Sequence, residues 1–146
     1  MKTKTKPKTK RRKLNTKLLR KIRNRILARP RQFLMSRYYS KVTDIGKKPS
    51  HCGTAACIAG WAVALHKNIN PAQASEEYIN DFSSMWIKAT KLIGLENRHA
   101  AASLFTSHNW PRNFYYAYIT ALSNRNHAQA ARVAADRINH LIRTGK

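Results

Sequence analysis

The sequence predicts an all-α fold: a single compact bundle of six or seven short helices around a buried central helix, led by a disordered basic N-terminal arm. Three observations predict it. Apolar residues recur at helical spacing through most of the chain, and no strand alternation of convincing length appears. The stretch Ala55–Leu65 carries no charge in a chain otherwise full of it, and a helix apolar on all sides is a buried one. The first 13 residues alternate Lys with Thr or Pro and then run Lys-Arg-Arg-Lys, a composition that repels itself and has nothing to bury.

Taken in order, residues 1–13 are the arm and residues 14–146 the helical domain. Asn15 or Thr16 caps a first helix over 14–29. Leu14, Leu18, Leu19, Ile22, Ile26 and Leu27 form its apolar stripe, and Lys17, Arg20, Lys21, Arg23, Arg25 and Arg29 fill the other side. Pro30 disfavours helical geometry at Arg29 and ends it. Arg31–Tyr39 reads as a short helix burying Phe33, Leu34 and Tyr38, and Ser40–Ser50 as a loop.

Thr54 then stands as the N-cap of the central helix, with its hydroxyl toward the Cys57 N–H. Asn70-Pro71 opens a weakly patterned helix over Ala72–Asn80. Ser84–Ile93 is a helix closed by Gly94. A short alanine-rich helix spans Glu96–Thr106. Asn109-Trp110-Pro111 starts the next helix, Arg112–Leu122. The last helix, about His127–Arg143, buries Ala131, Ala134, Ala135, Ile138, Leu141 and Ile142, and Gly145 lies past its end.

Charge sets the partner class. The chain holds 29 Lys plus Arg against 6 Asp plus Glu, a net charge of +23. The pI is near 10.9. That excess exceeds what solubility needs and implies polyanions, nucleic acid first. Fifteen of the basic residues lie at or before Arg31, where no acid occurs, and the remaining 115 residues still carry a net +8. The arm (Lys2, Lys4, Lys6, Lys8, Lys10, Arg11, Arg12, Lys13) and the first helix face (Lys17, Arg20, Lys21, Arg23, Arg25) are therefore the expected phosphate contacts. Such contacts supply affinity without reading bases. DNA and RNA stay undistinguished. An interaction protein that binds or masks an acidic protein is the alternative.

The longest apolar run is about half the roughly 20 residues of a membrane span. Two cysteines and the absence of an apolar leader point to a cytoplasmic protein with reduced thiols. A mitochondrial leader is disfavoured, because the N-terminal segment is lysine-rich and lacks amphipathic period.

The run Cys52-Gly-Thr-x-x-Cys57-x-Ala-Gly-Trp61-Ala resembles the signature of an uncharacterised family of small bacterial and bacteriophage proteins. Pro30-x-x-Phe33-x-Met35, Leu92-x-Gly94-Leu95, Leu104-Phe105, Trp110-Pro111 and Ala134–Leu141 are similar too, so the likeness covers roughly Ile26 to Gly145. It implies a single domain in a phage or bacterial setting. It brings no catalytic residues.

Four other readings compete at particular residues. Cys57 near a helix start, beside His51 and Cys52, would suit a cysteine nucleophile. Small thiols buried against Trp61 are the favoured reading. Cys52, Cys57, His51 and His66 lack the paired doublets of a zinc site, so no metal or cofactor is expected. Lys88–Phe105 has the outline of a helix-turn-helix, but its second helix is mostly alanine, with only Arg98 and His99 to reach bases. Among Trp110, Phe114, Tyr115, Tyr116 and Tyr118, helical spacing sends most toward the core and leaves Tyr116 for the surface, where it could stack a base beside Arg112.

Overall fold

The computed structural model describes residues 13–35, 39–41, 54–70, 73 and 82–146. Lys2 to Arg12, His51, Cys52, most of the Ser40–Ser50 loop and the expected helix over Ala72–Asn80 lie outside the described residues. Six α-helices fall within them: α1 (Thr16–Ala28), α2 (Ile58–Lys67), α3 (Phe82–Ile93), α4 (Arg98–Phe105), α5 (Arg112–Ser123) and α6 (His127–Thr144). Short 3-10 turns occupy Pro30–Gln32 and Ser107–Asn109.

α2 is the centre. Every residue from Ile58 to Ala64 is buried. Its alanines and Gly60 keep it thin, so α1 and α3 pack along it and α4 touches it. Asn68 ends it in the left-handed region (φ 55) and donates its N–H to the Ala64 and Leu65 carbonyls. Asn70 and Gln73 then exchange hydrogen bonds, each side chain accepting the other's backbone N–H, in the pattern of a capping box. α6 covers α1 on another side and also packs on α5.

Trp61 is 1% exposed. Its indole N–H donates to the Gln32 carbonyl at 3.2 Å, and the Arg25 guanidinium lies 5.2 Å from its ring centroid. Trp110 is buried likewise and donates to the Leu104 carbonyl at 2.9 Å. Tyr118 lies edge-on to both Phe33 and Trp110, and its hydroxyl accepts the Met35 N–H at 3.1 Å. Each polar edge of these rings meets a backbone group, as burial requires.

One buried cation was not foreseen. Arg137 of α6 is 2% exposed. It donates to the carbonyls of Ser103 and Lys146 at 3.2 and 3.1 Å, tying α4 to the segment after α6. Burial pushes its pKa down.

Three local expectations are corrected. Thr54 is not an N-cap: Thr54–Ala56 is a strand, β2, paired antiparallel with β1 (Tyr39–Lys41) in the register Tyr39↔Ala56, Ser40↔Ala55, Lys41↔Thr54. α2 begins at Ile58 with Cys57 in the cap position and no side-chain cap bond. The described part of Arg31–Tyr39 is not an α-helix, and Tyr38 lies outside the described residues. The chain turns through Pro30–Gln32, becomes extended at Phe33 (φ −114, ψ 125), bridges Ala56, and enters β1. The Leu34 N–H donates to the Ala56 carbonyl at 3.2 Å. These segments satisfy each other's backbone groups across some twenty residues, and local periodicity carries no trace of that pairing. Leu27, placed on the apolar stripe, is 42% exposed. The stripe that is buried is Leu18, Leu19, Ile22 and Ile26.

Candidate nucleic-acid interface

The start of α1 is locked from two sides. Asn15 caps the helix, accepting the Leu18 N–H at 3.0 Å. Its backbone N–H donates to the Ile93 carbonyl at 2.7 Å, and its side-chain amide donates to Leu92 at 3.1 Å. The first turn of α1 thus satisfies carbonyls left open at the end of α3. Gly94, at φ +81, closes α3 there, and a Cβ on it would collide with the Lys13 carbonyl. Lys13 is therefore held against Gly94.

Within α1 the basic residues divide. Lys17, Arg20 and Lys21 are exposed, as are Lys13 before the helix and Arg29 and Arg31 after it. Arg23 and Arg25 are half-buried and engaged in the fold. Arg23 donates to Asn139 of α6 at 2.9 Å and to Asn24 at 2.9 and 3.1 Å. Arg25 lies over Trp61 with its Nε buried and without an acceptor among the described residues. Lys2 to Arg12 lie outside the described residues.

Lys17 and Lys21 line a pocket with Asn15, Leu18, Leu65 and His66. His66 is brought there by α2, which runs antiparallel to α1: Arg25 meets Trp61 at one end, and Lys17 and Lys21 meet Leu65 and His66 at the other. Sequence reasoning weighed His66 only as a metal ligand. No local signal links it to lysines more than forty residues away.

The competing sites take definite shapes. Cys57 is 1% exposed, and burial pushes its thiol from an ordinary 9.0 to about 11. A thiol so raised is protonated at neutral pH and is a poor nucleophile. Among the described residues no group of three His, Cys, Asp or Glu could hold a metal ion, and no helix is long and apolar enough to cross a membrane.

α3 and α4 join through Gly94 and the Asn97 cap, whose side chain accepts the Ala100 N–H at 2.9 Å. α4 turns Ala101, Leu104 and Phe105 into the core. Arg98 and His99 are exposed. Between these helices lies a cleft of about 370 Å³, with Trp86, Ile87 and Leu95 on its walls and Lys91, Glu96 and Arg98 at its polar edge. Of the aromatics on α5, Tyr118 is buried and Tyr116 is 62% exposed, its ring 5.4 Å from that of Tyr115.

Comparison of the chain with protein-family models, with curated proteins and with solved structures finds no match.

Proposed function

We propose that this protein binds nucleic acid, DNA or RNA, chiefly through phosphates and with weak sequence preference. The observation that carries the reading is the set of exposed cations at the start of α1. Lys13, Lys17, Arg20 and Lys21 follow directly on an arm holding Lys2, Lys4, Lys6, Lys8, Lys10, Arg11 and Arg12, and they stand on a helix start pinned to α3. A charged tail on a fixed cationic platform gives both long-range attraction and a place to dock. Lysine and arginine contacts to phosphate position the polymer without reading it.

The alternative, an acidic protein partner, would favour one dominant apolar patch beside the charge. Among the described residues, the large exposed apolar side chains are Leu27 on α1, Ile87 on α3, and Tyr116 and Ile119 on α5, spread over three helices. That scatter favours nucleic acid. The bacterial or phage setting rests on the resemblance carried by the Cys52–Ala62 motif and the flanking motifs between Ile26 and Gly145. A catalytic role for Cys57 is disfavoured by its burial.

The test is co-purification. The protein expressed at native levels and isolated in low salt should carry nuclease-sensitive material, seen as excess absorbance at 260 nm that digestion removes. Material resistant to nuclease and sensitive to protease would favour the acidic-protein reading.

A further inference from the structure

The pocket between α1 and α2 has a volume of about 230 Å³. Lys17 and Lys21 stand one helical turn apart on the same face of α1, and both line this one space. His66 enters from the last turn of the facing helix. The floor is fixed: the Asn15 side chain is committed to the Leu18 N–H and the Leu92 carbonyl. Glu96 and Asp136 are the only acidic side chains among the described residues, and neither lines the pocket.

Two lysines lining one concavity repel each other, and no carboxylate among the described residues lines it to offset the repulsion. An anion between them turns that cost into attraction and makes the hydrogen bonds charge-assisted. A water occupies about 30 Å³ of liquid, so the space holds a group several times that size.

The geometry points to a seat for one phosphate group, gripped by the ammonium groups of Lys17 and Lys21 and by a ring nitrogen of His66. This deepens the nucleic-acid reading and rests on it for the source of the phosphate. An internal phosphodiester and a terminal 5′-phosphate share the chemistry. His66 is the new element, a contact from a helix otherwise devoted to the core. The seat also lies beside the root of the arm, since Lys13 precedes Asn15 by two residues.

Two measurements on the full chain test it. In the first, inorganic phosphate is titrated into ¹⁵N-labelled protein. Saturable shifts confined to the amides of residues 15–21 and 65–67 and to the His66 ring are expected. Small unsaturated shifts spread over every basic surface would overturn the seat.

In the second, affinity is measured for a 5′-phosphorylated and a 5′-hydroxyl oligonucleotide of one sequence. Lys17→Ala or Lys21→Ala should weaken binding about three- to tenfold, and the double variant less than the product of the two, because both hold one phosphate. His66→Ala should weaken it about two- to fivefold although it removes no lysine or arginine. Arg125→Ala, an exposed charge outside the pocket, should change it less than twofold. All four sites are on the surface, and unchanged thermal melts confirm folding. Equal losses on both oligonucleotides assign an internal phosphodiester; losses only on the phosphorylated one assign the terminus. If wild-type protein binds but His66→Ala is silent and the lysine variants match Arg125→Ala, the seat is wrong while the nucleic-acid reading stands. If wild-type protein binds neither oligonucleotide, that reading falls, and the phosphate titration judges the pocket by itself.

Discussion

α1 and α2 lie side by side and use their residues in opposite ways. α2 has seven consecutive buried residues and reaches solvent only in its last turn. α1 buries four side chains and turns Lys17, Arg20 and Lys21 outward. α2 holds the fold, and α1 presents the cations of the proposed contact. Two of their meeting places differ in kind: Arg25 packs over Trp61, and Lys17, Lys21 and His66 line the pocket proposed as a phosphate seat. The exposed cations of α1 thus stand on a helix packed against the most buried element, so the proposed binding face is anchored to the core.

Changes in α2 should therefore break the fold. Trp61→Ala removes a fully buried indole, its bond to Gln32 and the face under Arg25. A loss of about 3–5 kcal/mol is expected, enough to unfold much of so small a domain. Circular-dichroism melts would show it, and an unchanged midpoint would contradict the central place of α2.

Next in size is Gly94→Ala, which strikes the junction holding α1 on α3. The left-handed backbone alone costs about 1–2 kcal/mol, and the clash with the Lys13 carbonyl adds to it. Hydrogen exchange should quicken in the first turn of α1 before the rest of the domain. Uniform exchange would mean that the junction does not set that turn.

Alkaline pH gives a graded version of the same test. Burial holds the Cys57 thiol up to about 11 and the Tyr118 phenol up to about 12. In the unfolded chain these groups lose protons nearer 9 and 10. Between those values the unfolded state binds fewer protons, so stability falls as pH rises, by at most about 1.4 kcal/mol per unit for each group. Denaturant midpoints should decline from about pH 9 upward, and Cys57→Ala should flatten the first part of the decline. Cys57 should also resist alkylation at neutral pH.

The smallest expected effect on the fold is on the binding face. Lys17→Ala, Arg20→Ala and Lys21→Ala should each shift stability by no more than about 0.5 kcal/mol, read from denaturant midpoints. A larger loss at any of them would show that α1 serves packing and binding with the same side chains.

The same contrast explains what was legible in the sequence. Elements governed by neighbours along the chain were readable: the Asn15 cap, the stop before Pro30, the charge-free run of α2, Gly94 at φ +81 and Gly145 at φ 74. Tyr116 was placed outside and Tyr118 inside by helical spacing alone. What depends on distant partners was not. Thr54 looks like an N-cap because a Thr after Gly53 stands before a run of small, helix-tolerant residues, yet its backbone pairs with Lys41. Leu27 looks apolar enough for the stripe but sits past its edge. Arg137 gave no sign that Ser103 and Lys146 would offer it carbonyls. The candidate site was half legible: the cations are plain in the sequence, but the company of His66 comes from the packing of α1 on α2.

The most direct test of the central claim is the salt dependence of binding, with and without residues 1–12. The truncation leaves Lys13 on Gly94 and removes Lys2, Lys4, Lys6, Lys8, Lys10, Arg11 and Arg12, seven positive charges. Fluorescence anisotropy on labelled duplex and single-stranded oligonucleotides, at several salt concentrations, gives the slope of log K against log salt. Each neutralised phosphate contributes about 0.7–0.9 to that slope, so if about half of the seven charges touch phosphates the slope should shrink by about two to three units, alike across sequences. The truncated protein should retain a smaller slope from Lys13, Lys17, Arg20 and Lys21. Equal slopes would reduce the arm to a solubility device, and no binding by either form at low salt would contradict the nucleic-acid reading outright.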